Sequence, residues 1–164
     1  MKTIKYNNKY YPHFQAEGNA SQFAIPFAKH MCTGIGYDIG CNRLDWAFPG
    51  AIPIDLTFNN GYDAYNLPDK LVNYIYSSHC LEHLPNWIEA LDYWTSKLQP
   101  GGILFLYLPH YSQEYWRPWN NRKHLHALST ELIREYMINS CYCNIFHSDR
   151  DMNDSFMIVG ELKK

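Results

Sequence analysis

Charge is scarce in this sequence. Asp, Glu, Lys and Arg make up 18% of its residues and leave a formal net charge of −2. No global field would draw such a chain to nucleic acid or anionic lipid, and neither is expected as a partner. Long apolar runs are missing as well. The longest, ILFLYL (103–108), is far below the roughly 20 residues a membrane-spanning helix needs. The lysines of MKTIKYNNKYY have no apolar stretch behind them, so no signal peptide is expected. Cysteine is odd in number and irregular in spacing, at Cys32, Cys41, Cys80, Cys141 and Cys143. That pattern offers no disulfide framework and fits a reduced, cytoplasmic setting. Repeats, low-complexity blocks and linkers are absent, so residues 1–164 read as one domain, opening on an irregular Tyr/Asn/Lys-rich segment over 1–18.

What is present is enough for a core: 46% apolar residues, with 14 Tyr, 8 Phe and 5 Trp among them. Ser21 is placed to cap a helix carrying Phe23, Ile25, Phe27, Ala28 and Met31, with Pro26 in its first turns. Strands are expected near 35–39, at AIPID (51–55), at YDAYN (62–66) and at KLVNYIYSS (70–78). Helical spacing of Trp87, Ile88, Leu91, Trp94 and Leu98 predicts a helix over 85–98, stopped by Pro100-Gly101-Gly102. ILFLYLP (103–109) reads as a strand buried on both faces. STELIREYMINS has helical spacing at Leu132, Ile133, Tyr136 and Met137. The runs at 142–147 and 155–162 read as an antiparallel hairpin. Strands alternating with helices make an α/β three-layer sheet, mostly parallel, closed by that hairpin.

Ligands of such sheets sit beyond the C-terminal strand ends. The residues there are polar: Gly40–Asn42, Asp55–Leu56, Asp63–Ala64, Ser78–His83 and His110. Gly40 permits close approach to the backbone, and Asp55 stands where a carboxylate can accept both hydroxyls of a ribose. Nicotinamide and S-adenosylmethionine sites share that pairing. A dinucleotide site needs G-x-G-x-x-G after the strand, where this chain has GCNRLD. Pyrophosphate is poorly served there, whereas an adenosyl group with a short zwitterionic tail is not.

DIGC (38–41), DAYNLP (63–68), YIYSSHCLEHLPN (74–86) and LQPGGILFLYLPHY (98–111) follow in an order that resembles class I S-adenosylmethionine-dependent methyltransferases of the small-molecule type. The resemblance covers roughly residues 34–139 and implies a Rossmann-like methyltransferase sheet. It implies a cofactor loop of Asp38, Gly40 and Cys41, and Asp55 on the ribose. Leu56 would flank the adenine, with Asp63 and Ala64 at its edge, and Ser78 and His79 would lie near the sulfonium. S-adenosylmethionine would be the cofactor and S-adenosylhomocysteine the product. This chain departs from the family by lacking both later glycines of G-x-G-x-G, so the first crossover helix is expected to shrink to a turn or two.

YWRPWNNRKHLHALS (115–129) is a long loop between the fifth strand and the last helix, the kind that carries binding residues. For a hydroxyl acceptor the candidate bases are His79, beside the methyl position that the resemblance implies, and His124 or His126 on this loop. HCLEH (79–83) also matches the H-x-x-E-H pattern of an inverted zinc peptidase through His79 and His83. A third ligand has no distinctive context and the match lies inside the methyltransferase motif, so no metal site is assigned. A non-catalytic adenosyl-binding module is the other alternative, raised by the reduced glycine loop. DNA base methylation is argued against by SSHC, standing where [D/N]-P-P-[Y/F] would be required. A small or medium-sized acceptor is expected.

Overall fold

A computed structural model describes residues 2–13 and 19–164. The chain opens with β1 (Thr3–Tyr6) and β2 (Lys9–Pro12), an antiparallel hairpin. Its two turn residues, Asn7 and Asn8, both take positive φ, at 45° and 61°. Asparagine tolerates that left-handed backbone, and two such residues make the turn whose twist matches a hairpin. The expectation of an irregular segment is corrected for residues 3–12. Residues 14–18 lie outside the described residues.

A six-stranded sheet follows, built of β3 (Gly36–Ile39), β4 (Ile52–Ile54), β5 (Val72–Ser78), β6 (Leu98–Pro109), β7 (Tyr142–His147) and β8 (Ser155–Leu162). Their order in space is β4-β3-β5-β6-β8-β7, with the first four parallel and β8 antiparallel to both β6 and β7. Residues 104 to 108 of β6 are all fully buried, as expected of a strand covered on both faces. Alternation along the strands divides two cores. Tyr37, Ile39, Ile75, Leu104 and Leu106 meet α2 (Trp87–Ser96) and α3 (Thr130–Asn139) through Leu91, Trp94, Ile133 and Met137. Tyr74, Tyr76, Phe105 and Tyr107 face the other way, onto Ala24 and Ala28 of the α1 region (Ile25–Met31) and onto Phe48.

Local signals explain the helices. Asn86 caps α2 by accepting from the Glu89 N–H at 3.2 Å, and Ser129 caps α3 by accepting from the Leu132 N–H at 3.2 Å. Pro26 sits at the start of α1, where its missing N–H costs nothing. Ser21 does not cap that helix. It belongs to a separate 3-10 turn, Ala20–Phe23, and its hydroxyl reaches the Trp46 carbonyl. YDAYN is not a strand either: Asp63 Oδ1 accepts from the Tyr65 N–H at 2.7 Å, which folds the segment into a turn closed by reciprocal Asp63–Asn66 backbone bonds.

The shortened crossover is borne out. Between β3 and β4 there is only a 3-10 turn, Leu44–Trp46, and Phe48 does the covering that a helix would otherwise do. Its ring lies 4.9 Å from that of Tyr76 and 5.6 Å from that of Tyr74. Among the described residues no helix is long and apolar enough to cross a membrane.

Candidate active site

A cleft of about 290 Å³ opens where β3, β4 and β5 end. Its walls are Ile39, Ile54, Leu56, Ala64, Leu84 and Pro85, with Gly40 and Cys80 at its base and Tyr65 and His83 on its flanks. Two carboxylates, Asp55 and Asp63, complete the lining. Five sequence-predicted residues are thus brought together: Gly40, Asp55, Leu56, Asp63 and Ala64.

Asp55 is held firmly. Oδ2 accepts from the Asn42 N–H at 2.7 Å, and Oδ1 accepts from the N–H and the hydroxyl of Thr57 at 2.9 and 2.8 Å. It caps the 3-10 turn Leu56–Phe58 and clamps the crossover loop in one act. Carboxylate oxygens take two donors each, so Oδ2 retains capacity for one more. Gly40 has φ +83°, and a Cβ there would stand 2.4 Å from both Cβ and Sγ of Cys80. Its backbone N–H extends the β3–β4 pairing to the Ile54 carbonyl. Glycine is required by the neighbouring strand end as well as by the backbone turn.

Asp38 and Cys41 do not line this cleft. Asp38 is 1% exposed and accepts from the Phe48 N–H at 2.6 Å, so it ties the crossover to β3. Burial raises its carboxyl to about 7, against the pull of that hydrogen bond. Burial likewise raises the Cys41 thiol to about 12, with Asp38 and Asp55 adding to it. Ser78 ends β5 half-buried.

His79 follows with a positive φ of 50°, turning its ring inward rather than into the cleft. Nε2 meets the Ser155 hydroxyl at 2.9 Å, Nδ1 lies 3.7 Å from Glu82 Oε1, and the ring leans on Tyr107. Burial, with His124 and His83 nearby, lowers its pKa to about 3. A neutral imidazole that weakly basic makes a poor proton acceptor near pH 7.

The loop over 115–129 is stitched to the segment after β5. The N–H groups of Leu125 and His126 reach the Glu82 carbonyl at 2.8 and 3.2 Å, and His126 Nε2 reaches the Leu84 carbonyl at 2.9 Å. His83 Nδ1 lies 2.6 Å from the Lys123 carbonyl. His124 is 4% exposed, stacked on Trp116 and edge-on to His83. Burial and the nearby His83 lower its pKa to about 3. Neither His124 nor His126 lines the cleft. The imidazole that does is His83, absent from the sequence-derived site, together with Tyr65, Leu84 and Pro85. In the sequence His83 lies in the polar Ser78–His83 stretch that follows β5, where it also fits the zinc pattern, but nothing in its spacing singles it out as the imidazole of the cleft.

The arrangement offers a deep apolar slot with fixed acceptors at its rim, suited to a flat base and a hydroxylated sugar. A methyltransferase domain family model matches residues 17–140. No curated protein matches the chain. Among solved structures, the fold is similar to that of a SAM-dependent methyltransferase from Thermotoga maritima. The TM-score is 0.66 at 15% identity, with 92% of this chain and 93% of that one covered. It is also similar to the N-methyltransferase NodS from Bradyrhizobium japonicum WM9 in complex with S-adenosyl-L-homocysteine. There the TM-score is 0.62 at 15% identity, over 94% of this chain and 89% of that one.

Proposed function

This chain belongs to the methyltransferase domain family and is an S-adenosylmethionine-dependent methyltransferase, and from that premise we propose that the cofactor lies in the cleft at the ends of β3, β4 and β5. The observation that carries the placement is the convergence of Gly40 after β3, Asp55 and Leu56 after β4, and Asp63 and Ala64 from the Asp63–Asn66 turn, on one apolar slot. The donor set fits: aliphatic side chains for an adenine face, and an Asp55 carboxylate with Oδ2 able to accept a further hydroxyl.

S-adenosylmethionine, when bound, supplies a methyl group already activated on a sulfonium. The work left to the chain is to hold a small or medium-sized acceptor in line with that methyl and to exclude water, which is catalysis by proximity. Asp55 holds ribose. Leu56, Ala64 and Leu84 enclose the base. His83 lies on the flank of the cleft, its Nδ1 tied to the Lys123 carbonyl. His126, through the Glu82 and Leu84 carbonyls, and His124, edge-on to His83, act as positioning residues that keep the 115–129 loop against the Cys80–Pro85 wall. His79 supports the same wall from behind.

Calorimetric titration with S-adenosylhomocysteine tests the placement. Wild type is expected to bind, and Asp55→Ala to bind with roughly 1.5–3 kcal/mol less free energy, the scale for hydrogen bonds to a charged group. Equal affinity in a folded Asp55→Ala variant would put the ribose elsewhere.

A further inference from the structure

Glu82 is an anomaly among the buried side chains. It is fully buried, and neither carboxylate oxygen has a hydrogen-bond partner among the described residues. A buried carboxylate left so is costly, and natural structures compensate by pairing it or by coordinating a metal. What surrounds it is imidazole. His83 Nε2 stands 3.8 Å from Glu82 Oε1 and His124 Nε2 stands 4.0 Å from it. These distances are too long for hydrogen bonds.

His83 is oriented as a ligand. His83 Nδ1 lies 2.6 Å from the Lys123 carbonyl, which can only accept, so the proton sits on Nδ1 and the Nε2 lone pair faces Glu82. Tying the remote nitrogen to a backbone carbonyl is how proteins fix a metal-binding histidine. His124 is held by stacking on Trp116 at 4.9 Å, and its ring stands edge-on to that of His83 at 4.6 Å. One ligand atom from each of Glu82, His83 and His124 lies within 4.8 Å of the others. Two donors each about 2.1 Å from one tetrahedral ion stand roughly 3.4 Å apart, so a small inward movement would close the set.

We propose that Glu82, His83 and His124 form a binding site for a divalent transition-metal ion that fastens the 115–129 loop to the wall of the cleft. Two imidazoles and one carboxylate favour zinc, iron or cobalt over magnesium or calcium, which prefer all-oxygen sites. The ion would offset the buried Glu82 charge and occupy the gap among three groups that hydrogen bonding leaves unfilled. The ligand set differs from the H-x-x-E-H reading of the sequence. His79, though 3.7 Å from Glu82 Oε1, lies outside the mutually close set, and the third ligand comes from the 115–129 loop, about forty residues downstream, where no sequence spacing announces it.

The test is titration of chelator-treated protein with Co²⁺, followed by the visible absorption of the bound ion and by elemental analysis, with Zn²⁺ as competitor. One Co²⁺ per chain is expected, displaced by one Zn²⁺, with a rise in melting temperature on binding. Glu82→Gln and His83→Ala are each expected to lose stoichiometric binding. His83 is partly exposed, so its variant folds even should the buried substitution fail. Wild type without stoichiometric binding of Co²⁺ or Zn²⁺, or a folded His83→Ala that binds like wild type, would overturn the site. S-adenosylhomocysteine affinity, measured on the metal-free protein, reports separately on the cofactor cleft, so failure of one reading leaves the other readable.

Discussion

Asp38 shows how far a side chain's place depends on a partner that local sequence does not reveal. The resemblance placed it in the cofactor loop, but its partner is the Phe48 N–H, ten residues on, and its carboxyl is buried. The sequence shows a carboxylate in a strand and cannot show which N–H the shortened crossover will bring to it. Burial raises the folded-state pKa from 3.8 to about 7. A raised pKa means that its stabilising contribution is complete below the ordinary value and is lost as pH rises through about 7. His79 and His124, lowered from 6.5 to about 3, act with the opposite sign: their contribution is complete above 6.5 and is lost as pH falls toward 3. Wild type therefore mixes the two. Asp38→Asn keeps an oxygen acceptor for Phe48 and removes the ionisation. Its melting temperature relative to wild type is expected to become more favourable between pH 5 and pH 8. A difference independent of pH would show that Asp38 does not titrate in this window.

Elements built on local signals were legible, and those built on distant partners were not. The hairpin at 142–147 and 155–162, the β6 strand and the helix carrying Trp87 to Trp94 follow from alternation, apolar continuity and 3.6-residue spacing, all readable within a short window. The β1–β2 hairpin was missed because its signal is a pair of asparagines in the left-handed region rather than an apolar pattern. YDAYN was misread because one aspartate side chain, bonding two residues along its own backbone, overrode strand propensity. The 115–129 loop was expected to bring His124 and His126 to the site, yet His126 turns to the Leu84 carbonyl and His124 stacks on Trp116, and neither lines the cleft. His126→Ala removes the bond to the Leu84 carbonyl, and the expected cost is about 1 kcal/mol of stability. Hydrogen exchange should accelerate at Leu125 and His126, whose N–H groups bond the same segment, while S-adenosylhomocysteine affinity holds. Unchanged exchange and stability would mean that this contact does not anchor the loop.

For the molecule as a whole, the sheet order β4-β3-β5-β6-β8-β7 fixes where three strand ends converge, and the cleft is a consequence of that order. The missing crossover helix does not disturb it. Phe48 covers Tyr74 and Tyr76, Asp38 secures Phe48, and Asp55 secures the loop through Asn42. Gly40 is left between Ile54 and Cys80, at the floor of an open slot. The convergence of Gly40, Asp55 and Leu56 on the cleft was legible because these residues follow strand ends, whose positions topology dictates; Asp63 and Ala64 reach it from a turn. The 115–129 loop was less legible, because its folding depends on contacts some forty residues apart, such as Lys123 with His83. The most direct measurement is a crystal structure of the protein with S-adenosylhomocysteine. The account predicts the adenine between Leu56, Ala64 and Leu84, with a ribose hydroxyl on Asp55. Ligand bound outside that cleft, or inside it with Asp55 making no contact to the ribose, would contradict it.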